Sequence, residues 1–178
     1  MNKRKWILLA EDNENDAELA LRALSANQVP QDVIVARDGE EALDCLYRRG
    51  AFQARPAPGN PAMILLDLKM PRVDGLEVLR QTKADPQLRR VPVVMFTSSR
   101  EETDVARSYE LGANAYVVKP VDFKEFMSVV REIQCFWMGI NELPVDQPAR
   151  SKSAPAVGSK HEPSPGAAAV PSFTGGAA

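Results

Sequence analysis

Met63-Ile64-Leu65-Leu66-Asp67-Leu68-Lys69-Met70-Pro71 is the stretch from which the rest of the chain can be read. Four apolar residues run straight into an acid, and a proline closes the segment. A short apolar run bounded by a turn signal reads as a strand buried on both faces. Asp67 then stands at the carboxyl end of that strand. In an open α/β sheet this is the edge where ligands bind. An acid here can equally cap the next helix, so its role depends on what the other strand ends bring beside it.

Working outward, the apolar run at residues 6–10 predicts a first strand, followed at once by Glu11, Asp12, Asn13, Glu14, Asn15 and Asp16. Asn15, with Glu18 three residues on, fits a helix start. Ala17, Ala20, Leu21 and Leu24 recur at helical spacing and carry that helix to residue 26. Residues 33–36 predict a second strand, with Asp38-Gly39 as its turn and a helix over 40–49. Residues 53–61 hold Pro56, Pro58, Gly59 and Pro61, which marks an irregular loop. Beyond the Asp67 strand, the turn at 71–75 opens a helix that ends near Asp85-Pro86. A fourth strand at 91–96 runs into Thr97, and a helix over 101–111 is closed by Gly112. A fifth strand at 115–118 runs into Lys119-Pro120, and Asp122 caps a last helix reaching residue 138. Strands alternating with helices predict a doubly wound parallel sheet with helices on both faces. At this length the flavodoxin-like order 2-1-3-4-5 is expected.

Bulk properties narrow the class. The 178 residues are 44% hydrophobic and 26% charged, with a formal net charge of -2, which fits a soluble globular protein without the basic excess of a nucleic-acid binder. No apolar run approaches a membrane span, and the one after the basic N-terminus stops at Ala10, short of a signal-peptide core. Cys45 and Cys135 fall in separate helices without paired spacing, so a reducing cytoplasm is the expected location. His161, the single histidine, lies outside the predicted fold, which argues against histidine catalysis. One folded domain is expected over residues 1–143. Residues 144–178, rich in Pro, Ala, Ser and Gly, are expected to be a disordered tail.

The strand ends can now be collected. Glu11 and Asp12 follow strand one, Asp67 follows strand three, and the predicted order makes these strands neighbours. Three carboxylates at one edge call for a cation. Oxygen ligands with room for water suit Mg²⁺, or Mn²⁺ in its place. Thr97 ends strand four with a hydroxyl, and Lys119 ends strand five with a positive charge. Together these groups make a site for a phosphoryl group bonded to a carboxylate.

This set resembles the receiver domain of two-component response regulators over residues 5–138. The resemblance rests on the acidic pair Glu11-Asp12, the run from Asp67 through Met70-Pro71 to Asp74-Gly75, Thr97-Ser98 and Lys119-Pro120. It implies that Asp67 accepts phosphate from a sensor histidine kinase. It further implies that Asp12, Asp67 and the backbone carbonyl of Lys69 hold the metal, with Glu11 acting through water. Thr97 and Lys119 would bind phosphoryl oxygens, Lys119-Pro120 would be a cis peptide, and Tyr116 would be the aromatic switch. Two positions depart from the common pattern: Glu11 replaces an aspartate, and Ser98 replaces the frequent alanine. A narrower likeness, carried by residues 108–116, 119–123, Phe136-Trp137 and Leu143-Pro144, is to small stand-alone regulators that partner phytochrome-type histidine kinases.

Phosphorylation would draw Thr97 toward the phosphoryl group and let Tyr116 fill the vacated space. That would alter the surface of the fourth helix, fifth strand and fifth helix. The last helix carries two apolar stripes. Phe123, Phe126, Met127, Val130 and Trp137 are assigned to the sheet. Val129, Ile133, Phe136 and Ile140 are assigned to a homodimer interface, because a helix packed on one side needs only one stripe. Other functions fit less well. An aspartyl-phosphate phosphatase of the haloacid dehalogenase type needs a second acid where Lys69 stands, so the chain is not expected to be an enzyme. A binding scaffold independent of phosphorylation would not need the acid, threonine and lysine set. A phosphorelay intermediate shares the same chemistry and is not separable here. With no DNA-binding module expected after residue 144, output through protein contacts is expected, without nucleic acid or membrane.

Overall fold

The computed structural model describes residues 5–26, 31–54 and 59–142. The tail assigned to residues 144–178 lies outside them. Five parallel strands, β1 (Lys5–Ala10), β2 (Gln31–Ala36), β3 (Met63–Leu66), β4 (Val93–Thr97) and β5 (Ala115–Val118), form one sheet in the order β2-β1-β3-β4-β5. The connecting helices are α1 (Glu14–Ala26), α2 (Gly39–Tyr47), α3 (Gly75–Ala84), α4 (Glu102–Glu110) and α5 (Phe123–Gln134). The order and the doubly wound architecture are those expected from the sequence. Among the described residues, no helix is long and apolar enough to cross a membrane.

Alternation along the strands builds two cores. Trp6, Leu8, Ile64, Leu66, Val93 and Met95 pack on the face covered by α2 and α3. Ile7, Leu9, Met63, Leu65, Val94 and Phe96 pack on the other, against α1 and α5. Parallel register brings the strand ends level. Ala10 pairs with both Ala36 and Leu66, Leu66 with Met95, and Thr97 with Val118. Backbone bonds carry this alignment into the loops: Glu11 N donates to Ala36 O, Asp67 N to Ala10 O, and Lys119 N to Thr97 O, all at 2.8–2.9 Å. The residue following each strand therefore emerges on one edge.

Several local expectations are corrected. Asn13, not Asn15, caps α1: its Oδ1 accepts from Asn15 N at 3.0 Å and Asp16 N at 3.2 Å. The Glu11 carboxylate accepts from Asn13 N at 3.1 Å, so the chain turns earlier and Asp16 falls in the first helical turn. The strand β4 starts at Val93 rather than residue 91, because Pro92 has no N–H to donate. The last helix is not one regular helix to residue 138. It ends at Gln134 and continues as a π-helical segment, Cys135–Ile140. Gln134 Nε2 donates to Leu24 O at 2.9 Å, and Lys5 Nζ to Met138 O at 3.0 Å, tying this end to α1 and β1.

The two stripes of the last helix are also redrawn. Ile133, assigned to a dimer interface, is buried in the core with Phe126 and Val130. These residues stand at i, i+4 and i+7, one helical face. Val129 is half-buried against the same core. Phe123, assigned to the core, is 54% exposed because it sits in the first turn of the helix. Only Phe136 and Ile140 of the proposed interface stripe are exposed.

Two glycines and one ion pair shape the loop between β3 and α3. A Cβ on Gly75 would overlap the backbone oxygen of Asp67, and one on Gly39 would overlap that of Val73. Arg72 adopts a left-handed backbone (φ 63°), and its guanidinium pairs with Asp38 and Glu40. Asp38 is buried and also caps α2 through Glu41 N. Gly75→Ala is expected to cost about 1–3 kcal/mol of stability by overpacking, measured by urea denaturation. Ile133→Ala should cost about 2–5 kcal/mol as a core truncation; unchanged monomer stability would return Ile133 to the surface.

Candidate functional site

The acids that follow β1 and β3 come together as the register requires. Glu11, Asp12 and Asp67 each place a carboxylate oxygen within 4.8 Å of the others. Glu11 and Asp67 are buried, while Asp12 is exposed and leaves one side of the cluster open. Asp67 is oriented by its own loop, because its Oδ1 accepts from Leu68 N at 2.7 Å. Lys69, two residues past Asp67, lies in the loop that Gly75 holds against Leu68 O (2.8 Å). Its ammonium is 3.9 Å from Glu101.

From the end of β5, Lys119 reaches across this edge. Its Nζ lies 2.7 Å from Glu11 Oε2, 2.9 Å from Asp16 Oδ2 and 3.5 Å from Asp67 Oδ2. Burial alone would lower the pKa of the ammonium. Its hydrogen bonds to Glu11 and Asp16 and the nearby Asp67 charge outweigh burial and raise its pKa. Glu11 behaves in the opposite way. Burial pushes its carboxyl up to about 7, against the pull of Lys119, and the Asp67 charge adds to the rise. The peptide bond after Lys119 is not cis, contrary to the resemblance: no cis bond occurs among the described residues. The trans form is the intrinsic preference of an X–Pro bond, and Lys119 makes its three carboxylate approaches from it.

Asp16 escaped the reading of the sequence. The signal for it was spacing: it follows Asp12 by four residues in a helical start, which is one turn, so it returns to the same edge. With Asp16 included, three carboxylates, those of Glu11, Asp16 and Asp67, stand around one ammonium, and Asp12 joins Glu11 and Asp67 in the acid cluster. The donors are oxygens, the set carries excess negative charge, one side is open to water, and burial disfavours the charge on Glu11. That combination fits a hard divalent cation such as Mg²⁺ or Mn²⁺.

The second part of the site is a chain of hydrogen bonds through Ser99. Thr97 is buried at the end of β4, and its Oγ1 accepts from Ser99 N at 3.3 Å. Tyr116 is half-buried on β5 and its hydroxyl donates to Ser99 O at 3.1 Å. Burial pushes that hydroxyl's pKa up. Ser99 Oγ in turn donates to Asp104 Oδ2 at 2.6 Å, which fixes the loop to α4. The structure thus links Thr97 to Tyr116 through Ser99, a residue passed over in the sequence in favour of Ser98. A hydroxyl two residues past a strand end and five before an acid in a helix start is the pattern of a loop latch. Taken together, the edge offers a carboxylate nucleophile, acids for a cation and a fixed ammonium, the equipment of phosphoryl transfer by positioning and charge.

Comparison with known proteins bears on the family and the fold. The family model described as response regulator receiver domain matches residues 7–131. Response regulator Rcp1 of Synechocystis is 39% identical over 143 residues, covering 80% of this chain and 95% of Rcp1. A solved structure of Rcp1 in its Mn²⁺-bound form aligns with a TM-score of 0.73 at 39% identity, over 79% of this chain and 99% of that one. The structure of the phosphorylated cyanobacterial phytochrome response regulator RcpA aligns with a TM-score of 0.74 at 39% identity, with the same coverage. The bacteriophytochrome response regulator RtBRR is 56% identical, with a TM-score of 0.64 over 80% of this chain and 86% of that one. With its acidic edge, its strand order and a family match spanning most of its length, this chain belongs to the response regulator receiver domain family.

Proposed function

We propose that the chain is a single-domain response regulator that accepts a phosphoryl group on Asp67 from a sensor histidine kinase. The observation that carries this reading is Lys119 Nζ, 3.5 Å from Asp67 Oδ2, beside an acid cluster suited to a divalent cation. The Asp67 oxygen nearest Lys119 attacks phosphorus, the bond from phosphorus to the donor breaks, and a donor imidazole keeps its electron pair. Asp12, Asp67 and the Lys69 carbonyl, with Glu11 at longer range, would hold Mg²⁺ or Mn²⁺, and the bound ion would supply charge neutralisation for the phosphoryl oxygens. Lys119 and Thr97 bind phosphoryl oxygens. Because Thr97 and Tyr116 share Ser99, moving the threonine hydroxyl disturbs the hydrogen bond that holds Tyr116. The phosphoryl group is gained by the chain itself and lost to water, so no outside substrate is turned over. Relatives named as phytochrome and bacteriophytochrome response regulators support a phytochrome-type kinase as the donor.

A homodimer through α4, β5 and α5 is the second element of this reading. Tyr109 on α4, Val121 and Phe123 at the start of α5, and Phe136 and Ile140 beyond its end are large apolar side chains left exposed. Ile133 plays no part in this surface.

With acetyl phosphate and Mg²⁺, intact mass should show one added phosphate on the wild type and none on Asp67→Asn. Equal labelling of both would remove Asp67 as the acceptor. Sedimentation velocity at micromolar concentration should give a dimer that Phe136→Ser weakens at least tenfold. A wild-type monomer both with and without beryllofluoride would eliminate the dimer.

A further inference from the structure

Lys119 is asked to bind a phosphoryl group on Asp67, yet its ammonium is placed elsewhere. The three donors of a lysine ammonium can serve three acceptors. Two are engaged at short range by Glu11 (2.7 Å) and Asp16 (2.9 Å), whereas Asp67 lies 0.6 Å or more farther off, at 3.5 Å. Glu11 and Asp16 are not equivalent. Glu11 is buried at the end of a core strand, and its own carboxylate is tied into the backbone of the α1 cap. Asp16 belongs to the first turn of α1, and its side chain is 31% exposed.

We infer that Asp16 is a positioning residue that holds Lys119 on the α1 side of the site and competes with the phosphoryl group for its ammonium. It touches neither Asp67 nor the transferring group and acts through Lys119. The physical argument is one of mass action between acceptors. The ammonium moves toward Asp67 only if the new phosphoryl oxygens outweigh what Asp16 supplies. Asp16 therefore stabilises the unphosphorylated arrangement and sets how much negative charge at Asp67 is needed to draw Lys119 across. The transfer also ties α1 to the event, because release of Asp16 frees the first turn of that helix from β5.

This inference rests on Asp67 being the phosphoacceptor, and the test separates the two. Beryllofluoride, which forms an acyl-phosphate mimic on aspartate, is titrated into the full chain at saturating Mg²⁺, with binding followed by calorimetry. Asp16→Asn should bind roughly threefold to fivefold tighter than wild type, the scale of one partly exposed ion pair. Asp16→Glu should return toward the wild-type value. Glu14→Gln is the charge control, since Glu14 lies in the same turn but pairs with Arg37 rather than Lys119; it should match wild type. Equal or weaker binding by Asp16→Asn, or the same gain in Glu14→Gln, overturns the inference. Wild type that binds no beryllofluoride removes the phosphoacceptor reading, and this inference with it. A second measurement needs no phosphoryl chemistry. A double-mutant cycle of urea stability for Asp16→Asn and Lys119→Met should show a stabilising coupling, and its absence would mean that no pair exists to compete.

Discussion

One ammonium among buried carboxylates is the constraint on which the site depends. Removing Lys119 and Glu11 from water costs several kcal/mol per ion, and a buried pair recovers this only with good geometry and further hydrogen bonds. Lys119 finds both: Glu11 on one side, Asp16 on another, and Asp67 at the third. The arrangement still holds more negative than positive charge, and this excess gives the edge its affinity for a cation. Charge balance at this edge therefore changes when a cation binds there, and Lys119 stands at its centre.

Around Lys119 the strand ends are rigid and the loops are latched. The parallel register fixes Glu11, Asp67, Thr97 and Lys119 relative to one another through backbone bonds. Below Asp67, Gly75 lets the start of α3 press against the Asp67 carbonyl, and Arg72 pins the same loop to Asp38. On the other side Ser99 joins Thr97, Tyr116 and Asp104 in one hydrogen-bonded loop. Ser99 thus connects the edge to α4 and β5 through hydrogen bonds.

Most of the architecture was legible along the chain. The apolar runs ending in Ala10, Leu66, Phe96 and Val118 are short and bounded by polar residues, and such runs specify buried parallel strands by length and composition alone. Once the strand order is inferred, Asp67, Glu11, Asp12 and Lys119 follow as neighbours, because each occupies the first or second position beyond a strand, and Thr97 ends β4 on the same edge. Two of the errors have separate causes. Asn13 takes the cap of α1 from Asn15 because Glu11 binds its N–H. Ile133 joins the core because its phase relative to Phe126 is closer than a wheel drawn from Val129 suggests.

The sequence by itself determined the fold, the acids and the residue types at every strand end, because local periodicity and strand termination are encoded within a few residues. Only the tertiary structure decided how those groups share charge. It placed Asp16 of α1 on Lys119, separated by 103 residues, and put Ser99 between Thr97 and Tyr116. Spacing places Asp16 and Ser99 at the edge, but which side chains they meet there has no local signature. Each depends on the few ångströms by which helices sit on the sheet, and that spacing is set by core packing as a whole.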